Sequence, residues 1–107
     1  LGTNDASYIT SKDASYAQQF PADYKDFLSL LRSKHEDAYI VCTYGMMGAN
    51  THIVNGISRA IDQLGDEKIV YFPSPVENRS GANGHPNKAA HVEMAEELSR
   101  FIRTLDI

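Results

Sequence analysis

Four histidines supply side chains that transfer protons near neutral pH, and their settings differ. His85 stands in Gly84-His85-Pro86-Asn87, behind a polar loop from Glu77 to Gly84 and ahead of a helical pattern. His35 falls at a helix end, where a solvated cation is favoured, and His52 falls near a helix start with no partner in the pattern. His91 belongs to the surface of the last helix; with Glu93 only two positions on, the pair does not face one site, so no metal is expected there. At the other end of the chain, Gly2-Thr3-Asn4-Asp5 sets a glycine and two short polar side chains, Asn4 and Asp5, in the opening loop. The short Asp5 side chain is suited to holding a loop through backbone hydrogen bonds. Ser74 and Ser80 precede His85 but lack the nucleophile-elbow context of a reactive serine. Each block alone is weak, since Gly-Thr-Asn-Asp is a common turn or helix entry and His-Pro-Asn a plausible cap.

The pattern between the blocks says what positions them. Phe20, Tyr24, Phe27, Leu28 and Leu31 recur at helical spacing, predicting a helix over roughly 21–34 with Pro21 in its first turn. Ala38 to Thr43 is a short run rich in β-branched and aromatic residues, suited to a strand covered on both faces. Ile53, Ile57, Ala60, Ile61 and Leu64 mark a second helix that Gly65 ends. Lys68 to Phe72 is a second buried-type strand, stopped by Pro73 and Pro75. Asn87 is a suitable N-cap for a last helix that carries Val92, Met94, Ala95, Leu98, Phe101, Ile102 and Leu105 inward. The order loop–α–β–α–β–α implies a parallel sheet with right-handed crossovers and helices outside. Ligands of such a sheet gather beyond the carboxyl ends of its strands, which selects the loops 2–10, 44–51 and 73–86.

Composition narrows the class. The 107 residues make one structural unit, and a net charge of −4 without a Lys/Arg cluster argues against nucleic acid. No apolar run approaches a membrane span, and the single cysteine, Cys42, excludes an intrachain disulfide. Leu1-Gly2 reads as the tail of a strand entering a loop, so the chain is expected to be a piece of something longer. Two or three strands leave an exposed edge that needs cover, either from the absent N-terminal half of the domain or from a second copy.

Gly2-Thr3-Asn4-Asp5 resembles the Gly-x-Asn-Asp block of the GDSL/SGNH hydrolases, and Gly84-His85-Pro86-Asn87, followed by a helix, resembles their C-terminal histidine block. The resemblance covers essentially the whole chain. It implies the C-terminal part, residues 1–107, of a single flavodoxin-like α/β/α domain, most similar to carbohydrate esterase family 2, the acetyl esterases. It also implies a secreted or cell-surface serine esterase that needs no cofactor and acts on acylated carbohydrate. His85 would serve as general base and Asn4 as oxyanion donor, with Gly2 and Asp5 shaping the loop. Tyr44, Met46 and Met47, just past a strand end, either line an acyl or sugar pocket or cap the core.

Two departures qualify the resemblance. No Gly-Asp-Ser block occurs, so the nucleophilic serine would lie upstream. Where the family often has Asp, three residues before its histidine, this chain has Ala82; a backbone carbonyl or the Asn83 side chain must then orient His85 in a Ser–His dyad. The same substitution suits a different class of protein, a non-catalytic α/β binding or interaction module that has lost its esterase chemistry.

Overall fold

A computed structural model describes all 107 residues. Its elements run α1 (Thr3–Ser11), α2 (Tyr16–Lys34), β1 (Ile40–Tyr44), α3 (Thr51–Leu64), β2 (Ile69–Pro73), a 3₁₀ turn (Ala82–Gly84) and α4 (Lys88–Ile102). The two strands are parallel neighbours, Ile40 opposite Ile69 and Tyr44 opposite Pro73. Side chains alternate across a sheet, so Ile40, Cys42 and Tyr44 go to one face and Val41 and Thr43 to the other. The first face carries the larger core, in which Phe20, Tyr24 and Leu28 of α2 meet Ile53, Ile57 and Ala60 of α3. Against the second face, Ala90 and Met94 of α4 join Val76, with Phe72 and Leu98 packed at their edge. The chain is thus a mixed α/β structure, a partial three-layer α/β/α sandwich around two strands.

Gly56 sets the spacing of α2 and α3. A Cβ there would overlap the Phe20 ring and touch Pro21 Cγ at 3.5 Å, so its absence lets the two helices close. Gly65 ends α3 in the left-handed conformation, and the Asn87 side chain caps α4 by accepting from the Ala90 N–H at 2.8 Å, both as expected. Arg32 fastens the far end of the sheet, pairing with Asp66 at 2.7 Å and donating to the Ala38 carbonyl. That guanidinium, then the Lys68 N–H, holds the Asp66 carboxyl below its ordinary range. Burial pushes up the Cys42 thiol and the Tyr24 hydroxyl that lies against it.

Several expectations need correction. Residues 3–11 form a helix, not a loop, and Leu1 lies exposed outside any strand. The helix exists because Ala6 and Ile9 face the core from consecutive turns, while Asp5 sits where the helix dipole favours an anion. Helix α2 begins at Tyr16, so Pro21 falls inside it and leaves the Ala17 carbonyl without its usual donor. Finally, α4 buries Met94 and half-buries Leu98 and Phe101, but Val92, Ala95 and Ile102 face outward, and Leu105, half-buried, lies in the turn beyond the helix end at Ile102. Met94, Leu98 and Phe101 form one stripe at i, i+4 and i+7; Val92, Ala95 and Ile102 belong to a second stripe that the sheet does not reach. Phe27, expected inward on α2, is likewise partly exposed.

Candidate active site

The two blocks reach the carboxyl end of the sheet by different routes: the first packs against Tyr44, the last residue of β1, and the second lies on the loop that follows β2. Gly2 precedes α1 with φ 115°, a conformation that strains any residue with a Cβ. A Cβ there would lie 2.8 Å from Ile53 Cγ2 and 3.1 Å from Tyr44 Cδ1. The bare glycine therefore seats the start of α1 on the carboxyl end of β1, and so fixes where Asn4 emerges. Asn4 is exposed in the first turn of α1, and Asp5 is half-buried beside it.

The loop from Ser74 to Asn87 holds His85 almost without apolar contact. Asn78 is its centre: the side-chain oxygen accepts from the Ser80 N–H at 3.0 Å, the Ser80 hydroxyl at 3.1 Å and the Asn87 N–H at 2.9 Å. Its own N–H reaches back to the Met46 carbonyl at 2.8 Å, tying the loop to the end of β1. The Asn87 amide donates to Ser80 Oγ at 2.7 Å, and the Gly81 N–H closes the loop on the His85 carbonyl at 2.7 Å. At Gly81 a Cβ would meet the Pro86 and His85 carbonyl oxygens at 2.7 and 2.8 Å, so only glycine permits that closure. Asn83 and Gly84, with φ 58° and 73°, then turn the chain and expose the His85 ring.

His85 Nδ1 lies 3.1 Å from the Ala82 carbonyl oxygen. A carbonyl only accepts, so this bond places the proton on Nδ1 and leaves the Nε2 lone pair free to take another. Of the two orienting groups open to the sequence, the backbone carbonyl makes the contact; Asn83 makes no hydrogen bond to the ring. Position 82 still serves the histidine, but through its main chain.

Two cavities flank these groups. One, of about 300 Å³, runs between Thr3, Ser7 and Thr10 on one side and Met47 and Asn50 on the other, with Arg79 at its end. The other, of about 280 Å³ and more apolar, lies between the sheet end and α4, against Met46, Ser74 and Met94. Tyr44 touches both, yet its ring is buried and its hydroxyl accepts from the Asn50 N–H at 3.0 Å. Met46 packs on the smaller core, whereas Met47 lines the polar cavity. Neither Asn4 nor His85 lines a cavity wall, but their neighbours do: Thr3 borders both, and Arg79 donates to the Gly84 carbonyl at 3.4 Å. Asn78, Ser80, Gly81 and Arg79 were not legible as site residues. Asn78-Arg79-Ser80 reads formally as a glycosylation acceptor, which gives no hint of a loop hub.

The loop that follows β2 thus carries an exposed imidazole held by a backbone carbonyl, in the crevice region where ligands of α/β sheets gather. No family model matches the chain. The chain is similar to the cellulase/esterase CelE of Acetivibrio thermocellus, with 33% identity over 118 aligned positions covering 96% of this chain and 13% of that protein. It is also 29% identical, over 98% of its length, to an acetylxylan esterase/glucomannan deacetylase of Cellvibrio japonicus, of which it spans 29%. Among solved structures, an acetyl xylan esterase (Est2A) from the rumen bacterium Butyrivibrio proteoclasticus superposes with a TM-score of 0.68 and 30% identity. That superposition covers 78% of this chain and 24% of the other. The chain is a relative of the carbohydrate esterases, and it spans less than a third of the length of each of these relatives.

Proposed function

We propose that these residues form the histidine-bearing part of a GDSL/SGNH-type serine esterase that removes acetyl groups from carbohydrate. In this reading a serine outside the chain attacks the ester carbonyl and passes its proton to His85 Nε2. The oxyanion that forms accepts from the Asn4 amide, and His85 then returns the proton to the departing sugar oxygen. Water hydrolyses the acetyl-enzyme by the same route in reverse. The observation that carries the reading is the Nδ1 contact with the Ala82 carbonyl, which does for the imidazole what the family's Asp would do. The esterase names of the relatives support the substrate class. The reading includes a protein that is secreted or at the cell surface, where polymeric carbohydrate is met.

The partner this reading requires is the N-terminal half of the same domain, carrying the serine. The free edge of β1 suits it: Val41 and Thr43, with Tyr24, Phe27 and Leu31 of α2, border an apolar groove of about 160 Å³. In the protein that unites both parts, Asn4→Ala should lower kcat by about 10²–10³, or about 3–4 kcal/mol, with KM little changed. Steady-state kinetics of acetate release check this. A raised KM with kcat spared would make Asn4 a ground-state contact and remove it from the oxyanion site.

A further inference from the structure

The polar cavity beside α1 has no part in the acyl chemistry just described, yet it adjoins both blocks: Thr3 of the first lines it, and Arg79, which also lines it, donates to the Gly84 carbonyl of the second. Thr3, Ser7 and Thr10 recur at i, i+4 and i+7, so their side chains share one face of α1 and form one wall. The Ser7 and Thr3 hydroxyls make no hydrogen bond within the protein, and Thr10 keeps its acceptor lone pairs while donating back to its own helix. Across the cavity the Asn50 oxygen caps α3 through the His52 N–H, which leaves the Asn50 amide nitrogen unengaged. At the end stands Arg79, whose sole bond is from Nε to the Gly84 carbonyl and which pairs with no carboxylate.

The cavity thus presents free hydroxyls, a free amide and a free guanidinium edge in about 300 Å³, at the lower bound of small-ligand pockets. One cation among neutral groups does not suit a phosphate chain, and the polar side chains of Thr3, Ser7, Thr10, Asn50 and Arg79 in the lining do not suit a lipid tail. A single sugar ring, whose every edge bears a hydroxyl, matches both the volume and the chemistry. The geometry points to this cavity as a glycan subsite that seats the sugar next to the acylated one, with Arg79 donating to its oxygens as a specificity-determining residue. The assignment rests on the esterase reading, which puts the reacting ester between Asn4, next to the cavity-lining Thr3, and His85, next to the Gly84 that the cavity-lining Arg79 holds.

Two variants test it in the protein that contains both halves of the domain. Ser7→Trp fills the cavity from an exposed helix position, and Arg79→Ala removes the donor. Each is assayed on an acetylated xylo-oligosaccharide and on p-nitrophenyl acetate, which has no second sugar. The ratio of kcat/KM on the oligosaccharide to kcat/KM on the small ester should fall at least about tenfold in each variant, through KM. Arg79→Lys should recover part of that loss. A ratio within about twofold of the parent in either folded variant overturns the subsite, including the case in which both substrates decline together. Absence of any turnover in the parent would instead refute the esterase reading. Titration of unacetylated xylotetraose into the parent and Ser7→Trp then decides the subsite: binding lost in the variant supports it, and equal or no binding overturns it.

Discussion

The two sides of the sheet are built by different means. Beneath β1, two helices close on each other through Phe20, Leu28, Ile53 and Ile57, with Leu28, Ile53 and Ile57 fully sealed from water. Each such side chain stabilises the fold by about 1.5–3 kcal/mol. On the other side, three buried residues hold α4, while the loop that presents His85 relies on Asn78, Asn87, Ser80 and Gly81. Apolar packing is non-directional and tolerates small shifts; hydrogen bonds between short polar side chains fix position and register. The difference teaches where this molecule keeps its stability and where it keeps its geometry.

Substitutions of two glycines that both lack room for a Cβ should separate the two. Gly81→Ala pushes against two carbonyl oxygens and opens the loop at His85. A displacement on the order of 1 Å at a catalytic group costs about 10² in rate, so kcat of the complete esterase should fall by that factor. Its melting temperature should barely move, since the one buried apolar residue of the loop, Val76, lies five residues before Gly81. Gly56→Ala should do the reverse, lowering stability by about 1–3 kcal/mol through overpacking against Phe20 while sparing kcat well below the unfolding temperature. Kinetics and thermal unfolding of the same two proteins check both. If Gly56→Ala cut kcat as deeply as Gly81→Ala, the division of labour would be wrong.

The smallest effect concerns acid. The Asp66 carboxyl is depressed in the folded chain by Arg32, so its contribution is fully present above the unfolded value near pH 4 and is lost as pH falls through the folded value. Asp66→Asn should therefore flatten the fall of stability below about pH 4, leaving neutral-pH activity alone. Urea unfolding at several pH values measures it, and an unchanged acid limb would show that the pair is energetically idle.

Much of the packed side was legible in sequence because helices with one apolar stripe declare themselves. Ile53, Ile57 and Ala60, ended by Gly65, are a single face with a stop signal. Helix α1 escaped notice because Thr-Asn-Asp suits a turn as readily as a first helical turn, and only the tertiary burial of Ala6 and Ile9 decides between them. The outward stripe of α4 escaped because periodicity counts apolar residues without saying which neighbour each will meet. The block around His85 is a local motif that sequence can display; the Asn78 hub is not, since a bond that spans nine residues to Asn87 leaves no local spacing to read.

The most direct test of the account is His85→Ala in the protein that carries both this chain and its serine, with p-nitrophenyl acetate turnover and thermal unfolding measured on one preparation. His85 is exposed and packs on nothing in either core, so the melting temperature should stay within about 2 °C while kcat falls by about 10⁴ or more. Turnover within about tenfold of the parent would contradict the assignment of His85 as the base, and with it the role given to the loop that holds it.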